Sequence, residues 1–180
     1  RIHLAFKRAK EENLRVFLND LETKANEYFD KLNAEDFHGN IRIQRNIKDV
    51  AEIKLYSSNG TEIKDPGGAQ ETTMHMSVLF AISDLTTRKK EEDYPLIFDA
   101  PTSSFGEFKE DVFYNIIDTL DKQCIIVTKD LLEFDPVTKE KKLNERKIEE
   151  LHCSIYRIQK KKPFDQNDLS TICTIKEHIK

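Results

Sequence analysis

Three cysteines among 180 residues, Cys124, Cys153 and Cys173, are too few and too far apart for a disulfide frame. Their odd number suits reduced thiols in a cytoplasmic protein. No CxxC or HxxxH spacing occurs, so no structural zinc is expected. No apolar run approaches the ~20 residues a membrane span needs, and no membrane partner is expected. Positive charge is not in excess. Against 29 Lys and Arg stand 33 Asp and Glu, a net −4, which gives no global pull towards nucleic acid. Any DNA contact must come from local patches. Residues 157–162 (RIQKKK) and 139–142 (KEKK) are candidates, and each also reads as an ordinary solvated loop or strand end. Apolar residues make up 38% and charged residues 34%, so part of the chain should lie outside the core. The N-terminus shows no signal-peptide pattern. The chain begins at Arg1, inside a polar, helix-like run, and we expect a fragment or processed piece: one domain with an appendage.

Residues 1–33 hold no Gly or Pro and read as one long helix. Leu14, Leu18, Leu21, Ala25, Tyr28 and Leu32 alternate spacings of four and three, the seam of a coiled coil. An amphipathic helix packed on a domain gives the same short pattern, and both readings stand. Residues 33–40 read as a turn. Residues 41–44 and 51–56 alternate and are β-branched, which predicts two strands. Asp65-Pro66-Gly67-Gly68 is the strongest breaker, and the helix expected after it buries Met74, Val78, Leu79, Ile82 and Leu85. A charged loop over 88–93 leads to Pro95-Leu96-Ile97-Phe98-Asp99. Its continuous apolarity predicts a strand covered on both faces, as in a parallel sheet. A helix follows with Phe108, Val112, Phe113, Ile116, Ile117 and Leu120 inward, then a buried strand over 124–128 (CIIVT). Residues 134–147 read as an exposed polar insertion, and 154–159 and 169–175 as late strands. The predicted class is α/β.

In a βαβ unit, ligands gather at the carboxyl ends of the strands. Asp99 and Thr128-Lys129 lie at two such ends. A carboxylate closing a rigid apolar strand suits Mg²⁺, which takes one or two carboxylates beside water and phosphate oxygens. A strand-ending Asp is equally a turn former or helix cap. Gly67-Gly68-Ala69-Gln70 before a helix suits close backbone approach to phosphate. It also suits a plain loop-to-helix turn. A phosphoacceptor receiver domain likewise sets Asp, Thr and Lys at strand ends. Thr128 and Lys129 are adjacent here, however, whereas that fold places them on separate strands.

The order and spacing of these pieces resemble the C-terminal half of an ABC-type ATPase head, a P-loop NTPase, in its SMC-like and DNA-sulfur-modification-like branch. Gly67-Gly68-Ala69-Gln70 resembles the signature motif, and Leu96-Ile97-Phe98-Asp99 the Walker B strand. Ser103 and Ser104 fall at the D-loop, and residues 124–130 resemble the switch strand. The implied fold is a parallel sheet core with a small antiparallel β part and an N-terminal helix derived from a coiled coil. Residues 1–33 would end the coiled-coil arm, and 34–180 would form the half-head. The resemblance implies two heads sandwiching two ATP molecules. Asp99 would hold Mg²⁺ and Lys129 would stand at the switch position, both in the catalytic set. Gly67, Gly68, Ala69 and Gln70 would cap the partner head's γ-phosphate, and Ser103 and Ser104 would lie at the dimer seam. Implied partners are a Walker A half of the same protein, a second head in a homodimer, DNA, and a nuclease subunit.

Three positions depart from that pattern. Ala100 stands where the family carries its catalytic Glu. A substitution that traps the bound state, a weak or inactive hydrolase, and service by another carboxylate such as Glu107 are the three explanations, and a native Ala100 is the favoured reading. Lys129 replaces the switch His, and Gly67 replaces the signature Ser. The Walker A loop, Gly-x-x-x-x-Gly-Lys-Ser/Thr, does not occur, so tight ATP or Mg²⁺ binding by this chain alone is not expected. A hydrolysis-deficient dimerisation head, or a DNA-binding scaffold, is the alternative expectation.

Overall fold

A run of 31 residues without Gly or Pro can hold helical dihedrals throughout, and it does: α1 spans Ile2–Leu32. The computed structural model describes residues 2–33, 39–88, 94–172 and 174–180. Of the charged loop expected over 88–93, Arg88 is helical and the rest lies outside the described residues, as do most of the turn over 33–40 and Cys173. The chain divides into two units, Arg1–Thr128 and Lys129–Lys180.

In the first unit, α1 changes character along its length. Ile2, Leu4 and Phe6 are exposed, whereas Leu21, Ala25, Tyr28, Phe29 and Leu32 are buried. The buried stretch follows the predicted seam, with Phe29 added. Alternating strands β1 (Gly39–Arg45) and β2 (Ala51–Ser57) form an antiparallel hairpin, Ile41 opposite Leu55 and Ile43 opposite Ile53. A short β3 (Glu62–Ile63), which the sequence did not announce, adds an edge. The sheet is tied to α1 by polar bonds. Asn26 accepts the Ile41 N–H at 2.7 Å and donates to the Ile41 carbonyl at 2.9 Å, and Glu22 accepts the Ile43 N–H at 2.7 Å.

Helix α2 (Gly68–Arg88) packs along α1. Its buried side differs from the expected one. Leu79 and Ile82 are 36% and 39% exposed, while Phe80, Ala81, Thr73 and Ser77 are fully buried beside Met74 and Val78. Hydroxyl residues hid this side from an apolar count. Thr73 and Ser77 donate to the carbonyls of Ala69 and Thr73, at 2.6 and 2.7 Å, so small polar side chains enter the core satisfied. Phe80 sits among Tyr28, Phe98 and Phe113, with ring centroids 5.6 to 6.1 Å away.

β4 (Leu96–Asp99) and β5 (Cys124–Val127) pair in parallel, Leu96 opposite Cys124 through Asp99 opposite Val127, joined by α3 (Glu107–Thr119). Helix α3 buries Phe113 and Ile116 as expected, but Phe108 is exposed and Lys109 is buried instead. Lys109 Nζ donates to Asn33 Oδ1 at 2.8 Å, which links α3 to the end of α1. The two strands are not covered on both faces. Phe98 packs into the core, whereas Ile97 is 69% exposed and Ile125 and Val127 are exposed with it. The unit's own helices and hairpin fill one side of this parallel pair only.

The second unit also refines the expectations. The stretch read as an insertion is structured. β6 (Leu132–Phe134) and β7 (Lys141–Leu143) form an antiparallel hairpin, and α4 (Glu145–Glu150) follows, capped by Asn144 accepting the Lys147 N–H at 3.1 Å. Polar strands this short carry no hydrophobic period, which is why they were invisible. β8 (Tyr156–Lys160) pairs antiparallel with β9 (Thr174–His178). Residues 169–172, expected within a strand, are a 3-10 helix instead. Lys180 Nζ donates to the carbonyls of Ile148, Glu149 and Leu151 and so caps the end of α4.

Candidate functional site

The parallel pair delivers Asp99 to the carboxyl end of β4. Side chains alternate along a strand, so Asp99 shares the bare face with Ile97, Ile125 and Val127. It is exposed and takes part in no ion pair or side-chain hydrogen bond among the described residues. A free carboxylate on a rigid strand end fits the single protein ligand that Mg²⁺ commonly takes.

The chain then leaves the sheet sharply. The Ala100 N–H donates to the Val127 carbonyl at 2.7 Å, and Ala100 adopts a φ of 46°. That left-handed geometry costs a non-glycine residue roughly 1–2 kcal/mol. The turn continues through buried Pro101 and Thr102 to exposed Ser103 and Ser104. The Ser103 N–H donates to the Ala100 carbonyl at 3.2 Å and the Phe105 N–H to the Thr102 carbonyl at 2.8 Å. Ser104 Oγ donates to Thr72 Oγ1 at 3.1 Å, which ties this turn to the second turn of α2. The turn after β4 and the start of α2 are thereby neighbours.

At that start, Gly67 precedes the helix, and its carbonyl accepts the Glu71 N–H at 2.9 Å. The opening N–H groups of a helix have no partner within it. Gly67 and Gly68 are exposed, and a Cβ on either would meet nothing within 4 Å. No packing within this unit requires glycine at these positions, and the bare backbone is open to close approach from outside. Ala69 and Gln70 are half-buried behind them. Glu107 is exposed in the first turn of α3.

Lys129 opens the second unit, where its carbonyl accepts the Leu132 N–H at 2.9 Å. One direct bond, Ser104 to Thr72, ties the turn holding Ser103 and Ser104 to the second turn of α2, just beyond Gly67–Gln70. Asp99 is joined to those serines by one tight turn, and Lys129 belongs to the other unit.

Two features escaped sequence reasoning. Thr72 was not singled out, because a hydroxyl one turn into a helix gives no pattern. A shallow apolar hollow of about 420 Å³ is lined by Leu79, Ile82, Tyr94 and Leu96. The displaced periodicity of α2 was its only signal. Burial pushes the Cys124 thiol above its ordinary range.

No protein-family model matches the sequence, and no curated protein does. The fold does match solved structures. The Smc head domain with a coiled coil and joint from Pyrococcus yayanosii superposes with a TM-score of 0.54 at 19% identity, over 68% of this chain and 24% of that one. An SmcHead bound to the C-winged helix domain of ScpA gives 0.52 at 16% identity, over 68% and 39%. The Pyrococcus furiosus Smc head domain with an extended coiled coil, bound to the C-terminal domain of ScpA, gives 0.51 at 20% identity, over 69% and 31%. This chain has the fold of part of an SMC head, and it spans about a quarter to two-fifths of the length of those structures. Among the described residues, no helix is long and apolar enough to cross a membrane.

Proposed function

We propose that this chain is the C-terminal half of an ATP-gated, SMC-like head that completes its nucleotide sites with two partners. The first is a half carrying the phosphate cradle, seated on the bare face of β4 and β5. The second is another copy of the head, facing the Gly67–Gln70 turn. The observation that carries this reading is the unpartnered Asp99 carboxylate on an uncovered apolar sheet face, joined by one turn to the open α2 terminus.

Bound Mg²⁺-ATP would supply the phosphate charge that draws these groups together. Asp99 would hold the metal from within its own head. The backbone N–H groups at Gly68 and Ala69, with the helix dipole behind them, would supply donors to a phosphate held by the partner head. Gln70 adds a side-chain donor. Ser103 and Ser104 line the seam, and Ser104 keeps the turn fixed to α2 through Thr72. The exposed first part of α1 would be the end of a coiled-coil arm. The role in DNA processing, in repair or defence with a nuclease partner, belongs to this same proposal and is supported by the resemblance.

A second reading is favoured by one residue. Ala100 has only a methyl group where a general base would orient water, and losing such a base lowers rates by about 10²–10⁴-fold. The head would then close on nucleotide and dimerise with little hydrolysis. ATP turnover of the head rebuilt from both halves separates the two. Turnover that Asp99→Ala abolishes supports the hydrolase, and nucleotide-driven dimerisation without turnover supports the dimeriser. Turnover and dimerisation that both ignore Asp99→Ala would remove Asp99 from the site.

A further inference from the structure

The second unit carries a surface that the nucleotide site leaves unused. Residues 129–180 hold 12 Lys and Arg against 10 Asp and Glu, although the whole chain is net negative. The excess is concentrated in residues 156–162 (YRIQKKK), which contain four cations and no acid.

The β8–β9 ladder sorts these residues by face. Tyr156 lies opposite His178, Ile158 opposite Lys176, and Lys160 opposite Thr174, and alternation puts all six on one side. Arg157 and Glu177, opposite one another, take the other side. Tyr156 and Ile158 are 49% and 67% exposed, and every residue of β9 is exposed. The rings of Tyr156 and His178 lie 4.9 Å apart, and Lys176 sits 3.9 Å over the Tyr156 ring. Lys160 sits 5.5 Å over Phe164, which is exposed just beyond the strand.

Among the described residues, no acidic side chain pairs with this face. Arg157, Lys160, Lys161, Lys162 and Lys176 form no ion pair among the described residues. The two acids of the connecting segment, Asp165 and Asp168, bond within their own turns, accepting the Asn167 and Ser170 N–H groups at 2.9 Å, and lie outside the 156–162 run. Exposed flat rings interleaved with unpaired cations suit a polyanion that also offers π-faces. Cations take its phosphates, and aromatic rings stack with its bases at about 1–3 kcal/mol per base. A two-stranded ribbon also fits a duplex major groove of about 12 Å.

We propose that the β8–β9 ribbon is a nucleic-acid-binding face. Tyr156, Ile158, Lys160, Lys176 and His178 form its platform, and Lys161 and Lys162 extend its charge. The inference rests on the DNA part of the proposed function and is independent of the nucleotide site.

The test is fluorescence anisotropy of the 180-residue chain, without nucleotide, against a labelled 20-mer as single strand and as duplex, over a salt series. Lys161→Glu/Lys162→Glu alters exposed positions outside the ladder and leaves the hairpin bonds intact. It should weaken binding at least tenfold and flatten the salt dependence by about one to two units of slope. Tyr156→Leu should weaken single-strand binding more than duplex binding. Lys141→Glu/Lys142→Glu, on β7, should change affinity little. Binding that ignores the ribbon variants, or is lost only in the β7 variant, overturns the ribbon while leaving DNA binding standing. Absence of binding by the unaltered chain to either probe overturns both.

Discussion

Ala100 concentrates the tension in this molecule. It keeps a left-handed backbone, holds β5 through its N–H, and brings only a methyl group to the turn that follows Asp99. At Asp135 the local chemistry is plainer. Lys142 Nζ donates to its carboxylate at 2.7 Å, and the Thr138 and Val137 N–H groups donate at 3.1 and 2.8 Å. These bonds, the Lys142 bond foremost, lower its pKa from 3.8 to about 2. A folded pKa below the unfolded one gives stability that is present above the ordinary carboxylate range and lost as pH falls through about 2. Carbon NMR of the Asp135 carboxyl should therefore show a midpoint near 2, moving up towards 3.8 in Lys142→Ala. A midpoint of 3.8 in the unaltered chain would contradict the turn. Such bonds leave no trace in composition. An Asp-Pro pair in a polar stretch announces a turn, but not which lysine returns to it.

Among the elements, α2 decides the first unit. Phe80 is fully buried and touches three aromatic rings from three other elements. Phe80→Ala should cost about 3–5 kcal/mol in denaturant unfolding. Leu79→Ala, one position away, should cost far less because Leu79 is partly solvated. Equal losses would restore the face that the apolar period suggested. Much of the fold was legible: the long helix, the hairpin, the βαβ unit and the glycine-opened helix follow from periodicity and breakers. The inward side of α2 was not, because Thr73 and Ser77 bury hydroxyls by bonding within the helix. Neither were β6, β7 and α4, where side-chain caps and turns replace hydrophobic pattern. Of the candidate site, Asp99, Gly67–Gln70, Ser103 and Ser104 stand out in the sequence as separate pieces. The Ser104–Thr72 bond, which ties the turn after β4 to α2, does not.

At the scale of the whole molecule, the parallel pair is incomplete. Its continuous apolar strands have the composition of strands covered on both sides, yet Ile97, Ile125 and Val127 lie bare. Ile97→Asp should leave the thermal unfolding of the chain nearly unchanged and abolish its association with the cradle-bearing half. Retained association, measured by size-exclusion chromatography of the mixed halves, would refute docking on this face. The central claim is that Asp99 serves its own head while the Gly67–Gln70 turn serves the other. Nucleotide occlusion in mixed heads tests it most directly. Rebuilt heads carrying Asp99→Ala, and heads carrying Gly68→Arg, should each retain no nucleotide alone. Mixed in equal amounts, random pairing of a two-fold dimer should restore about a quarter of the sites, because one composite site in each mixed dimer is intact. Failure of the mixture to recover any occlusion, or full occlusion by either variant alone, would contradict a site shared between heads.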